Sequence, residues 1–239
     1  MTKNSIIYCS KCVNISTRPD GTDFDKRGIC AACQHRMHKE EFGIDFNSRR
    51  EELQKIIKWG IENSKNSYDC IVTVSGGKDS MRQAFFARDE LGLKVLLVSS
   101  IYPPEQNTEL GANNFSNLIE HGFDTISIGV NPQVSKDLVR ETFYKYGNLF
   151  KATEYALYAI PIHAAIAHKI PLIFLGENPL YTIGQQEGKT KGGDASGMQF
   201  SNTLQGGNPS DIIPNNISNQ DTSFYRYPST NDIEHAGLK

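Results

Sequence analysis

Apolar and polar positions alternate in blocks along this chain. Short apolar runs of strand length lie at Cys70–Val74, Lys94–Ser99, Thr125–Val130 and Pro171–Leu175. Between them, apolar residues recur at helical spacing. This predicts helices over about Asp79–Leu91 and Thr108–His121, with Gly92 and Gly122 as stops. Further helices are predicted over 133–148 and 153–168, where Pro161 divides or kinks the second. Upstream, Leu53, Ile56, Ile57 and Ile61 mark an amphipathic helix over 48–63. Ser48 is its expected cap, with Glu51 completing a capping box. Trp59 lies off that stripe and is expected to pack between a small N-terminal lobe and the main body. Strands alternating with helices predict an α/β fold built on a parallel sheet. Right-handed crossovers bring the strand C-termini to one edge, so Ser75–Ser80, Ser99–Thr108 and Gly176–Tyr181 should meet in one cleft.

The pattern weakens after Gly176. Gly184-Gln-Gln-Glu-Gly188, Gly192-Gly-Asp-Ala-Ser-Gly197 and Gly206-Gly-Asn-Pro209 are dense in small polar residues. Either this is a partly disordered tail, or its loops lie over the cleft and carry substrate groups; the second reading is preferred. Polar loops of this kind suit a hydroxyl-rich substrate such as a sugar. A helix is expected to start at about His235.

Composition narrows the classes. The chain has 239 residues, 38% hydrophobic and 22% charged, enough for one α/β domain and a small appendage. We expect three parts: residues 1–45, 46–180 and 181–239. Net charge is −2, so no overall basic field draws the chain to nucleic acid, and no nucleic-acid partner is expected. No apolar run is long enough to span a membrane, and Met1–Tyr8 lacks a signal-peptide core, so a cytoplasmic location is the default.

Four of the five cysteines form Cys9-x-x-Cys12 and Cys30-x-x-Cys33, with 17 residues between the pairs. That spacing is typical of a structural zinc site, in which two tight knuckles offer four thiolates. An iron–sulfur cluster uses the same ligands and stays open; disulfides fit a reducing compartment poorly. His35 and His38 follow the second knuckle and are read as solvated. Cys70, in an apolar strand, is read as core. A metal would replace the hydrophobic core that so short a polar segment cannot build.

The most informative stretch is Asp69-Cys-Ile-Val-Thr-Val-Ser-Gly-Gly-Lys-Asp-Ser80. It reads as strand, glycine turn and helix start. Gly76 and Gly77 allow close backbone approach to an anion, and N–H groups at the helix start would face it. Ser75, Lys78 and Ser80 can add hydroxyl and ammonium contacts. The G-x-x-x-x-G-K-[ST] phosphate loop does not fit, because Val72 stands where its first glycine would be and Asp79 follows Lys78. These residues match S-G-G-x-D-S, and there the chain resembles the PP-loop ATP pyrophosphatases. That resemblance implies a Rossmann-like domain of the adenine nucleotide alpha hydrolase type, cleaving ATP between its α and β phosphates.

Three further segments narrow the resemblance. They are the cysteine pairs, Gly176-Glu-Asn-Pro179, and Gly192-Gly-Asp-Ala-Ser196 with Ser201-Asn-Thr203. Together with the loop they are similar to the N-acetyl sugar amidotransferases of bacterial surface-polysaccharide and nonulosonate biosynthesis, such as pathways to pseudaminic- and legionaminic-type sugars. The resemblance covers essentially the whole chain. It implies that an acetamido group on a sugar or nucleotide sugar becomes an acetamidino group. ATP would adenylate the amide oxygen, with Mg²⁺ on the phosphates, and ammonia would displace AMP. Ser75, Gly76, Gly77, Lys78, Asp79 and Ser80 would hold ATP, with Gly176 nearby. By superfamily analogy, backbone at Val98 and Ser99 would hold adenine. Lys78, Asp79, Glu177 and Asp194 are the expected catalytic residues; a Mg²⁺ ligand and a helix cap are the alternative roles of Asp79. Zn²⁺ at Cys9, Cys12, Cys30 and Cys33 would be structural. With four cysteines on metal and the fifth in a strand, no thiol remains for a glutaminase, so ammonia is expected from a glutaminase- and cyclase-like partner. A homo-oligomer remains open. Members of this family run longer than 239 residues, which implies an incomplete C-terminal part. Two other readings stand beside this one: a tRNA sulfur-transfer enzyme of the same superfamily, and a non-catalytic zinc-ribbon module on a nucleotide-binding scaffold.

Overall fold

The structure, a computed structural model, describes residues 6–16, 24–176, 195, 209–214 and 217–239. Its centre is a four-stranded parallel sheet. The strands are β1 (Cys70–Thr73), β2 (Val95–Ile101), β3 (Asp124–Gly129) and β4 (Ile173–Phe174), in the order β3-β2-β1-β4. β1 and most of β2 are buried. This explains their unbroken apolar runs, since both faces of the sheet carry helices. On one face, Cys70, Val72 and Leu97 pack with Ile57 of α2 (Phe46–Asn63), Ala84 of α3 (Lys78–Phe85) and Leu118 of α4 (Glu109–Glu120). On the other, Ile71, Leu96 and Val98 pack with α5 (Pro132–Tyr146) and α6 (Lys151–His168).

The connections run β1 to β2 to β3 in one direction, then return to place β4 on the other side of β1. The strand order therefore reverses at β1, and the crevice beyond such a reversal is where open α/β sheets bind ligands. The loop Ser75–Ser80 and Gly176 both emerge there. Lys239 bonds to Pro171 and Ile173 as one rung of a parallel strand outside β4: its N–H donates to Pro171 O (2.8 Å) and its C=O accepts from Ile173 N–H (2.9 Å).

Several predicted boundaries move, each for a local reason. Asp45, not Ser48, caps α2, accepting from Asn47 N–H and Ser48 N–H at 3.0 and 3.1 Å. α3 starts at Lys78 and continues through Phe86–Glu90 as a π-helical turn, closed by Leu91 N–H to Phe86 O at 3.0 Å. α6 runs unbroken through Pro161. Only the Leu157 carbonyl loses its partner there, and Leu157 is an exposed residue. Trp59 packs with the α2 face of the sheet rather than with the cysteine lobe, and Lys239 Nζ lies 4.5 Å from its ring centre.

The C-terminal part departs most from expectation. Ile212, Tyr225, Ile233 and Leu238 are buried in the same cluster as α6, so the described residues after Pro209 are not a loose tail. The final helix, α7 (Thr230–Ala236), ends where a helix start was expected. Ser229 and Asp232 form a reciprocal capping box at its start, and Gly237 closes it at φ 62°. The three glycine-rich stretches after Gly176 lie outside the described residues, Ala195 and Pro209 excepted.

The N-terminal lobe has two short hairpin bridges, Tyr8 with Ile15 and Phe24 with Cys30, followed by α1 (Ala31–Phe42). Among the described residues its interior is Cys9, Ile29 and Cys30, with Phe24, Ala32, Cys33 and Met37 around them.

Candidate functional site

The loop Ser75–Ser80 leaves β1 at the point where the strand order reverses. Gly76 takes φ +77° and lies directly on the backbone of α4: a Cβ there would stand 2.9 Å from Phe115 N and 3.0 Å from the Asn114 carbonyl carbon. Two separate constraints thus require glycine. Gly77 has ordinary dihedrals and open space around it; its nearest neighbour is Ser75 Oγ at 3.4 Å. It occupies the cap position of α3, where it supplies no side chain. Its role is to leave the helix start uncovered.

Asp45, Thr108, Asn131 and Ser229 cap α2, α4, α5 and α7 with side-chain oxygens, whereas α1, α3 and α6 have no side-chain cap at their N-cap residue. The first N–H groups of α3 and its positive dipole end face the crevice. The hydroxyls shape the loop from within. Ser80 Oγ donates to Gly77 O (3.0 Å) and accepts from Ser75 N–H (3.3 Å), while Ser75 Oγ accepts from Gly77 N–H (3.4 Å). Lys78 and Asp79 extend into solvent with side chains 90% and 79% exposed, their charged atoms 3.1 Å apart. Asp79 lies inside the helix rather than at its cap. Such a loop can bind a polyphosphate through main-chain N–H groups, with Lys78 as a mobile counter-charge.

Gly176 ends the described part of this crevice. The preceding carbonyl, Leu175 O, accepts from Gln83 Nε2 of α3 at 2.8 Å, which ties the β4 exit to the loop's helix. Glu177 and Asp194 lie outside the described residues. Val98 and Ser99 are buried within the ladder, opposite Ile126 and Ser127 of β3, because β2 runs two residues further than expected. The strand end at this edge is Ser100–Ile101.

The second centre is the cysteine cluster. The sulfurs of Cys9, Cys12, Cys30 and Cys33 all lie within 4.8 Å of one another, and Cys12 Sγ is 3.7 Å from Cys30 Sγ. A tetrahedral ion with bonds of about 2.3 Å sets its sulfurs about 3.8 Å apart. The cluster fits a single ion such as zinc. A four-iron cluster places its own sulfides between the cysteines and needs them further apart. Main-chain N–H groups already point at the sulfurs: Lys11 and Cys30 at Cys9 (3.4 and 3.3 Å), and Asn14 at Cys12 (3.4 Å). Burial acts to raise the Cys9 thiol, but the backbone donors of Cys30, Lys11 and Cys12 outweigh it and bring it down to about 6. Cys33 is pushed far up by burial and by the neighbouring Cys12 and Cys30 sulfurs. Cys70 is separate, fully buried in β1, with its thiol raised to about 12 by burial and by Asp69. His38 lies on α1 against Phe42, with ring centres 4.6 Å apart.

Sequence reasoning missed Asp25. Its carboxylate accepts from Arg27 N–H (2.9 Å) and Ile29 N–H (3.0 Å), and so shapes the hairpin that delivers Cys30. The signal was present as Asp25 followed by Gly28, a turn-forming pair within a segment read only as polar and without a core of its own. Also missed were the α4 backbone behind Gly76 and the groove at the end of β2, which no local motif marks.

No protein-family model matches the chain, and no curated protein matches it. Among solved structures it is similar to the U34-tRNA thiolase NcsA from Methanococcus maripaludis with its [4Fe-4S] cluster. The identity is 14% and the TM-score 0.35, over 73% of this chain and 55% of that chain.

Proposed function

We propose that this chain is a PP-loop ATP pyrophosphatase that uses ATP to activate an amide oxygen. The observation that carries the reading is the Ser75–Ser80 loop: S-G-G-K-D-S at the reversal of a parallel sheet, with Gly76 locked on α4 and the start of α3 left uncapped. In this reading the N–H groups of Lys78 to Ser80 hold the β and γ phosphates, Lys78 swings onto them, and Asp79 would be the residue to hold Mg²⁺. Adenine lies against the main chain at the end of β2, at Ser100–Ile101 just beyond Val98 and Ser99. Mg²⁺ neutralises phosphate charge, and pyrophosphate leaves as the amide oxygen attacks the α phosphorus.

The finer reading follows from the resemblance. The amide is the acetamido group of a sugar or nucleotide sugar, adenylation turns its oxygen into a leaving group, and ammonia replaces AMP. Ammonia comes from a glutaminase-like partner, which accords with the cysteines: four share one cluster and the fifth is buried. Glu177 and Asp194 orient the acceptor. Zn²⁺ on the four cysteines holds the N-terminal lobe together. The test is ATP binding by calorimetry together with AMP release in the presence of ammonium and a UDP-linked N-acetyl sugar. Lys78→Ala should weaken ATP binding at least tenfold. Unchanged affinity and turnover in that variant would remove Lys78 from the phosphate site.

A second reading is sulfur transfer to tRNA. The pairing of two cysteine knuckles with an S-G-G-x-D-S loop is the feature that favours it. Against it stand the net charge of −2 and the close spacing of the sulfurs. Thiolated tRNA, with no response to any sugar, would replace the first reading by this one.

A further inference from the structure

Gly111 lies in the first turn of α4, where glycine is a poor choice. It loses more backbone freedom on folding than any other residue, and alanine is the better helix former. Gly111 does not take the positive φ that Gly76 and Gly122 take. Among the described residues, a Cβ there would meet only Thr108 Oγ1, at 3.2 Å, with open space otherwise out to 4 Å. Thr108 is the cap of α4, and its Oγ1 accepts from Gly111 N–H at 3.0 Å. The same cap geometry carries a side chain elsewhere in this chain. Ser229 Oγ accepts from Asp232 N–H at 3.1 Å in α7, and Asp45 accepts from Ser48 N–H at 3.1 Å in α2. The cap therefore does not exclude a Cβ at this position.

The place of Gly111 is what sets it apart. It shares a helix face with Asn114, Phe115 and Leu118. That face points inward: Leu118 is fully buried, Phe115 packs beside it, and the backbone of Asn114 and Phe115 is what Gly76 rests on. α4 follows the C-terminal end of β2, so its start lies at the sheet edge from which Ser75–Ser80 emerges. Gly111 is one turn nearer that start than the contact with Gly76, and so stands about 5 Å further out. An inward-facing position with open space before it is a notch in the crevice wall. Gly77, at the uncapped start of α3, has open space around it as well.

We infer that Gly111 is a specificity-determining residue that keeps α4 clear of the phosphate chain. The groups beyond the α phosphate then lie between the start of α3 and the inward face of α4. This rests on the proposed ATP site and adds its second wall. A methyl group at 111 would take space that a phosphate oxygen occupies and would offer it no hydrogen bond. The anion would be pushed off the N–H groups of α3, whose pull falls away within one turn.

The test uses the full chain with Mg²⁺, calorimetric titration of inorganic pyrophosphate, ATP and AMP, and a thermal melt of each variant. Gly111→Ala should weaken pyrophosphate and ATP binding by about tenfold or more and leave AMP within about twofold. Its Tm should be unchanged or raised by up to about 4 °C. Asn113→Ala, exposed on the outer face of α4, is the control and should bind all three as wild type does. Wild-type affinity of Gly111→Ala for pyrophosphate and ATP would overturn the assignment, whatever happened to turnover. So would an equal loss for AMP, which would place the methyl against the nucleoside. A Tm lowered by about 4 °C or more would also overturn it, by showing that the fold itself needs glycine there. Failure of wild type to bind either pyrophosphate or ATP would instead remove the proposed ATP site, and this wall with it.

Discussion

Gly76→Ala is the substitution for which the loop geometry predicts most. Alanine at φ +77° is left-handed, which costs about 1–2 kcal/mol. Its Cβ would also stand 2.9 Å from Phe115 N and 3.0 Å from the Asn114 carbonyl carbon, where contacts of about 3.5–4.0 Å are comfortable. Both neighbours are helix backbone, so neither can rotate away. Overpacking of this kind costs about 1–3 kcal/mol. Together the two terms come to roughly 2–5 kcal/mol. At about 2–4 °C per kcal/mol for a chain of this size, Tm should fall by roughly 4–20 °C in a thermal melt followed by circular dichroism. The shifted loop should also lose at least tenfold in ATP affinity. Gly77→Ala is the control, with φ −74° and no contact under 3.4 Å. It should leave Tm within about 2 °C, because only close anion approach is affected. A Gly76→Ala protein with wild-type Tm and wild-type ATP affinity would refute the argument.

Other outcomes follow from the same contacts. Asp45→Ala should cost about 1 kcal/mol through loss of the α2 cap, whereas Ser48→Ala should be near neutral in urea unfolding. Gly60→Ala should destabilise by about 1–3 kcal/mol, since a Cβ there would meet Leu172 Cδ2 at 2.5 Å; a neutral result would mean that α2 can move off the sheet. Thiol titration with an aromatic disulfide at pH 8 should find no reactive cysteine in the metal-loaded chain and four after chelation, with Cys70 reacting only once the chain unfolds. Burial of the Cys70 thiol also sets a sign for pH. Its value rises from 9.0 to about 12 on folding, so its contribution is complete below pH 9 and is lost as pH rises toward 12. Alkaline unfolding of Cys70→Ala should therefore be less steep than that of wild type.

The alternating strands, the parallel sheet and the loop were legible because each is a local signal. An apolar run, a glycine turn and a helix stop are written in adjacent residues. Boundaries were less so. Ser48 and Asp45 are both good caps, and only the backbone path chooses between them. Pro161 looks like a break in the sequence, yet α6 tolerates it because a single carbonyl is left over, at an exposed residue. The packing of the C-terminal part was not legible because its apolar residues (Ile212, Tyr225, Ile233 and Leu238) are spaced for contact with α6 rather than for any period of their own. At the site, the pattern named the glycines of the turn but could not show that Gly76 is held by α4. That contact joins residues nearly 40 positions apart. The four cysteines were legible from spacing alone; the carboxylate of Asp25 that shapes their hairpin was not.

The central claim is that ATP bound at Ser75–Ser80 is split between its α and β phosphates. Phosphorus NMR of the metal-loaded chain with ATP, Mg²⁺, ammonium and a UDP-linked N-acetyl sugar tests it most directly. The account predicts AMP and pyrophosphate appearing together in equal amounts, dependent on both sugar and ammonium. ADP and inorganic phosphate, or ATP left intact with every N-acetyl sugar and with tRNA, would contradict it.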